Sequence, residues 1–320
     1  MNFTQDIKQN IKSHRSVQIA IVGDVHNQWE PEDELALQAL GVDLVLFVGD
    51  FGNEAVEVVE AIAAVSLPKA MVFGNHDAWY SMTEWGRQKC PYDRSLENRV
   101  QKQLDLAGDA HVGYEKQDFP ALGLSVVGSR PFTWGGSKWR DTGFYQEWFG
   151  VDSFTASADR IVAAAQTTAH NTLVLIGHNG PSGLGAAPED PCGKDWKPIG
   201  GDCGDPDFAQ AIARIQDLGK AIPLVAFGHM HHNLKHTRDH LRKCVSSDPI
   251  GTLYLNAARV PRIVEVDRQK RRNFSLALLE DGVVTQTSLV WIDQNFQVMS
   301  EELLYCHPKN TQESISVLHY

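Results

Sequence analysis

Five short apolar runs, each closed by glycine and a polar side chain, constrain this chain more than any other feature. They are "VQIAIVGD" (17 to 24), "VDLVLFVGD" (42 to 50), "KAMVFGNHD" (69 to 77), "NTLVLIGH" (171 to 178) and "IPLVAFGH" (222 to 229). Each is nearly continuous and rich in β-branched residues, the pattern of a strand covered on both faces. Helical spacing lies between most of them. "EPEDELALQALG" opens with acidic residues and stops at Gly41, and "NEAVEVVEAIAAV" follows Asn53 as N-cap. "FTASADRIVAAAQTTAH" and "DPDFAQAIARIQDLG" carry the same period. Strand and helix in alternation predict a layered α/β domain. The tail differs: "GTLYLNAA", "RIVEVD", "NFSLALLEDG" and "VVTQTSLVWID" are strand-like, and Glu280-Asp281-Gly282 predicts a hairpin turn.

The chain has 320 residues, enough for one large domain or two ordinary ones. No linker, repeat or low-complexity stretch divides it. A single domain over 1–295 is expected, with 296–320 as a C-terminal extension. The formal charge of −11 argues against a broad basic face for nucleic acid and against attraction to an anionic membrane. No apolar stretch is long enough for a spanning helix. The N-terminal "MNFTQDIKQNIKSHRS" has no apolar core, so it does not read as a secretory signal. The five cysteines are odd in number and scattered, which predicts reduced thiols and a cytoplasmic protein. Cys192 and Cys203 share one loop, but no CxxC spacing marks them as a metal or redox pair.

All five runs end in residues able to bind metal: Asp24 and His26 in "GDVH", Asp50 in "GD", Asn75 with His76 in "GNHD", His178 in "GHNG", and His229 with His231 in "GHMHH". Ligands gather at the carboxyl ends of strands in open α/β sheets, so these groups can converge at one edge. Asp24 and His26 are two apart, as are His229 and His231, a spacing that puts both side chains on one side of an extended stretch. Imidazole, carboxylate and an amide oxygen suit Mn, Fe, Ni, Co or Zn, with Mn or Fe favoured, and no cysteine sits in these motifs. Seven donors exceed what one metal uses; two metals sharing a carboxylate would use them all.

This ordered series, D-x-H, GD, GNHD, H and GHxH, resembles the signature of the calcineurin-like metallophosphoesterases over roughly residues 17 to 260. The resemblance implies a two-sheet β-sandwich flanked by helices. It also implies that Asp24, His26 and His231 hold one metal, that Asn75, His178 and His229 hold a second, and that Asp50 bridges them. His76 would then contact the phosphoryl oxygen and protonate the leaving oxygen. The expected activity is hydrolysis of a phosphate ester, a metal-bridging hydroxide attacking phosphorus in line, with a phosphodiester preferred over a phosphomonoester. The alternatives are a phosphomonoesterase or protein phosphatase, and a silent scaffold that keeps the fold. The presence of every ligand position and of His76 weighs against a scaffold.

The chain departs from the protein Ser/Thr phosphatase pattern, GDxVDRG and GNHE, by reading "GDFGNEA" and "GNHD". Asn53 and Glu54 stand where that branch has an acid and an arginine. Asn53 is expected either to cap the following helix or to contact His76, and Asp77 either to support His76 or to cap its turn. Two segments flank the motifs. "SRPFTWGGSKWRDTGFYQEWFG" holds seven aromatics between Phe132 and Phe149. It is a candidate pocket wall with Arg130 or Arg140 on a phosphate, a packing loop, or an oligomer contact over 130–150. The Gly/Pro-rich stretch 179–206 follows His178 directly and is long enough for a functional loop. His232, His236 and His240 are read as surface or supporting residues.

Overall fold

The computed structural model describes residues 16–308. In chain order its elements are β1 (Ser16–Val22), α1 (Pro31–Ala39), β2 (Leu44–Phe47), α2 (Val56–Ala63), β3 (Lys69–Met71), a 3₁₀ turn (Asn75–Ala78), α3 (Glu84–Gln88) and α4 (Arg99–Ala107). A second 3₁₀ turn (Gly108–Ala110) is followed by β4 (Lys116–Phe119), β5 (Leu124–Gly128), α5 (Thr142–Phe149), α6 (Phe154–Gln166), β6 (Thr172–Ile176), α7 (Pro206–Asp217) and β7 (Ala221–Phe227). The chain continues through β8 (Val245–Ser247), β9 (Leu253–Asn256), β10 (Ile263–Val266), β11 (Gln269–Glu280), β12 (Val283–Asp293) and β13 (Val298–Cys306).

The strands form two sheets. One runs β13-β12-β11-β1-β2-β3 with β10 also on β11; the other runs β4-β5-β6-β7-β9-β8. Strands β1, β2 and β3 are mutually parallel, as are β5, β6, β7 and β9, whereas the tail strands pair antiparallel. Alternate residues of one strand therefore enter two different cores. Ile19, Ile21, Leu44 and Leu46 meet Val174, Ile176 and Leu224 between the sheets, while Ala20, Val22, Val45 and Phe47 face the helices. Cover on both faces is why these strands read as unbroken apolar runs. All five expected strands and the tail hairpin are present, in the α/β two-sheet sandwich flanked by helices that the motifs implied.

Four differences have local causes. The helix after β2 begins at Val56 with Ala55 at its N-cap, so Asn53 lies in the preceding loop and does not cap it. Strand β3 ends at Met71, because the chain is already turning toward the 3₁₀ turn that starts at Asn75. Helices α3 to α5 and strands β4, β5, β8 and β13 carry too short a period to be read from the sequence. Beyond Asn295, Asp293 closes a tight turn by accepting the Asn295 and Gln297 N–H groups, and β13 then pairs with β12 through Cys306. Residues 1–15 and 309–320, with most of the N-terminal stretch discussed above, lie outside the described residues. No helix among the described residues is long and apolar enough to cross a membrane.

The β10–β11 hairpin is locked to α1 by a buried ion cluster. Asp33, fully buried, meets Arg262 at 3.2 Å and Arg272 at 3.6 Å, and it also accepts the Glu30 N–H. Removing one partner of such a cluster leaves uncompensated charge in the interior. We expect Asp33→Ala to lower folding stability by about 3 kcal/mol, read as a shift of the urea unfolding midpoint at unchanged slope.

Candidate active site

The loops that follow β1, β2, β3, β6 and β7 meet at one edge of the sandwich. Close backbone approach makes this possible. A side-chain carbon at Gly74 would collide with Asp50 Oδ1, and one at Gly228 would collide with Asp24 Oδ2. The loops are tied by hydrogen bonds from the His26 N–H to the Asp50 carbonyl (2.8 Å) and from the Glu54 N–H to the His76 carbonyl (3.0 Å).

Asp77 is the main tie. Its buried carboxylate accepts the N–H groups of Gly74 (2.7 Å), Phe51 (2.8 Å), Asp50 (3.0 Å) and Gly52 (3.4 Å). It therefore joins the loop after β2 to the loop after β3. Burial and the neighbouring Asp50 push its carboxyl upward, and the N–H donors pull against them. Of the two roles expected for Asp77, the structure shows the turn cap: the side chain is fully buried and accepts backbone N–H groups, Gly74's among them, so it is a positioning residue and not a catalytic one.

The seven expected donors come together. Donor atoms of Asp24, His26 and His231 lie within 4.8 Å of one another, and so do those of Asp50, His178 and His229. Asn75 Oδ1 is 2.9 Å from His178 Nε2. Asp50 stands between the groups, with Oδ1 3.3 Å from His178 Nε2 and Oδ2 4.0 Å from His26 Nε2. The convergence does not arise from extended backbone, as the i, i+2 spacing suggested. Asp24 (φ +49°), His26 (+45°), Asp50 (+53°) and His229 (+64°) all occupy the left-handed region. Such strain in non-glycine residues clusters at functional sites.

The protons do not suffice for this arrangement. His178 Nδ1 lies 2.9 Å from the Val48 carbonyl and must donate to it, so in the neutral ring that metal binding requires Nε2 carries a lone pair. That lone pair faces the oxygens of Asn75 and Asp50, which are themselves acceptors. Asp24 Oδ2 is satisfied by the His229 N–H at 2.9 Å, while the buried Oδ1 makes no well-formed hydrogen bond and has His231 Nε2 at 3.4 Å as a neighbour. His26 Nε2 and His231 Nε2 face one another at 3.2 Å. Burial, then the nearby His178, pushes the His229 imidazole down to about 3, which keeps it neutral as a metal ligand must be. Lone pairs converging without donors form a site fitted to cations, and the residues fit the two metals that the motifs implied.

His76 lies beside these groups, with Nε2 4.0 Å from Asp50 Oδ2. Its Nδ1 is 2.5 Å from Asn53 Oδ1, so the ring donates there and presents Nε2 to the cleft. Burial lowers the pKa of His76, against the pull of Asp50. Trp79 stacks on its ring, with centroids 4.4 Å apart and planes at 20°. The sequence reading passed over Trp79; its signal was a position three residues on from His76 along a helical turn.

The flanking segments divide. Arg130 is buried and paired with Asp205 at 2.6 Å and Asp207 at 2.9 Å, so it is not available to a phosphate. Phe132 stacks on Phe73 inside the core, and Phe144 and Tyr145 are buried with it. Trp134 and Arg140, in contrast, line the cleft. So does the later part of the 179–206 loop, including Lys194 and Cys203. Arg242 secures that loop by donating to the carbonyls of Pro188, Asp190 and Gly193. Cys192 and Cys203 are both free thiols, and neither joins a donor group. His232 is buried with Nε2 on the Asn256 carbonyl, a supporting position.

We expect Asp77→Asn to cost about 3 kcal/mol of stability, because an amide NH₂ would face N–H donors. Denaturant unfolding reads that loss, and elemental analysis should show less retained metal than in wild type.

The calcineurin-like phosphoesterase family profile matches residues 17–233. No curated protein matches the chain. Among solved structures, a dimetal phosphatase from Danio rerio is 12% identical, with 91% of this chain and 99% of that one covered and a TM-score of 0.46. A protein from Thermus thermophilus is 11% identical over 90% and 99% of the two chains, with a TM-score of 0.45. A metallophosphoesterase from Sphaerobacter thermophilus is 14% identical over 94% of each, with a TM-score of 0.32. Because the family profile spans more than half of the chain, and the strand-end loops that carry its motifs meet at one edge, the chain belongs to the calcineurin-like phosphoesterase family and is a phosphate-ester hydrolase.

Proposed function

We propose that the protein is a two-metal phosphodiesterase of the cytoplasm. Asp24, His26 and His231 would hold one ion, Asn75, His178 and His229 the other, and Asp50 both. The carrying observation is the excess of lone pairs over protons at His178, Asp50 and Asp24. When bound, the metals supply positive charge that activates water and neutralises the phosphoryl oxygens. Five free cysteines support the reducing compartment.

The remaining chemistry belongs to the chain. Hydrolysis forms one bond from water oxygen to phosphorus, breaks the bond to the leaving oxygen, and moves one proton to that oxygen. His76 would be the proton source in its imidazolium form: Nδ1–H donates to Asn53, Trp79 stacks on the ring, Nε2–H gives its proton to the leaving oxygen, and the proton lost by the attacking water restores the imidazolium. A neutral amide at Asn53 stabilises the imidazolium less than a carboxylate would, which sets this chain apart from the GDxVDRG phosphatase pattern. The cleft encloses about 760 Å³. That leaves room for substituents on two sides of phosphorus and supports a diester over a monoester.

Two variants test the reading. Wild type purified without chelators should carry about two metal ions per chain, and Asp50→Asn should lose both, since Asp50 touches each group. His76→Ala should retain metal while hydrolysis of bis-p-nitrophenyl phosphate falls by about 10²- to 10⁴-fold. A preference for p-nitrophenyl phosphate over the diester would move the protein to the monoesterases. Metal binding without turnover of either ester would make it a silent member of the fold.

A further inference from the structure

Beside the donor groups, the cleft opens into an annex that the phosphoryl chemistry does not use. It encloses about 570 Å³ and is walled by Trp79, Trp85 and Trp134, with Thr83, Arg140 and Asp141 completing it. Trp79, Trp134 and Arg140 line both spaces, so the annex adjoins the cleft. The three indoles form an open box: Trp85 meets Trp79 edge-on at 5.7 Å, and Trp134 lies 5.3 Å from Trp79 at 40°. Trp85 is 56% exposed, so its ring is accessible from solvent.

Charge around the opening is complementary to an anion. The chain carries −11 overall, yet the cleft lining sets Lys138, Arg140, Lys194, Lys235 and Arg242 against Asp50, Asp195 and Asp202, with Asp195 already paired to Arg242. A local cationic rim on an acidic protein concentrates anionic ligands at that point. Trp79 also fixes the direction of the annex. Its ring stacks on His76 and also walls the annex, so a ring bound in the annex would lie near His76.

We propose that this annex binds a nucleobase-sized planar ring of the substrate, with the ester phosphorus at the donor groups and the ring-bearing oxygen beside His76. The substrate class is then a nucleoside phosphoester, held by aromatic stacking on one side and by phosphate on the other. Base–indole stacking is tolerant of base identity, so the annex selects for a base without choosing strongly among bases. The proposal rests on the phosphoester-hydrolase reading and adds the substrate's organic half to it.

The test compares adenosine 5′-monophosphate with ribose 5-phosphate, which differ only in the base, by isothermal titration of the metal-loaded protein. Adenosine 5′-monophosphate should bind about tenfold tighter or more. Trp85→Ala should erase most of that advantage while ribose 5-phosphate binding stays as in wild type, and Trp134→Ala, which also alters the cleft wall, should reduce the advantage as well. Trp85 is exposed, so its variant should fold even if the Trp134 variant does not. Equal affinities for the two ligands in wild type would overturn the annex, as would an advantage that survives Trp85→Ala and Trp134→Ala alike. Bis-p-nitrophenyl phosphate turnover, measured on the same preparation, separates the two levels. If it persists while the annex fails, the hydrolase reading stands alone; if it is absent and neither ligand binds, both fall.

Discussion

One buried carboxylate organises the catalytic edge. Asp77 gathers the N–H groups of Asp50, Phe51, Gly52 and Gly74, and so makes the loops after β2 and β3 a single unit. Neither loop can present its donors without the other, because an unsatisfied carboxylate in the interior is far too costly. Asp50 answers from the opposite direction by accepting the His76 N–H at 2.9 Å. Asp50, Asn75 and His76 are thus set relative to one another by backbone hydrogen bonds. Glycines 49 and 74 complete the unit, since a side-chain carbon at either would strike the other loop or His178.

The rest of the sandwich sustains a site that is unfavourable in itself. Several donor residues hold left-handed backbone, and their lone pairs crowd together without protons to share. Two fully buried layers of parallel strand, one between the sheets and one under the helices, supply the rigidity that keeps this geometry. Outside the donor cluster the same economy recurs. Arg130 with Asp205 and Asp207, and Arg242 with the carbonyls of the 179–206 loop, pin long loops from within. Those loops can then form the cleft wall while staying fixed to the core.

Legibility in the sequence followed locality. The strands that carry the motifs announced themselves because burial on both faces forces an apolar run, and the chain must turn polar where each run ends. The donors were legible for the same reason: Asp24, Asp50, Asn75, His178 and His229 each stand within a few residues of a strand end. Asn53 was harder. Its residue type fits a helix cap or a partner for His76 equally well, and only the position of α2 separates the two. Arg130 was misjudged because its partners are 75 and 77 residues away. Trp79, Trp134 and Lys194 carry no local mark of their place in the cleft.

By itself the sequence determined the layered α/β class and pointed to the strand ends as the place where the candidate donors gather, because these depend on local pattern and on chemistry fixed by residue type. Tertiary structure decided which residues face one another. It made Asp77 a backbone clamp, withdrew Arg130 into the core, and brought indoles from two separate segments around one cavity. Such outcomes depend on contacts between residues far apart in the chain, and on left-handed turns that no local periodicity encodes.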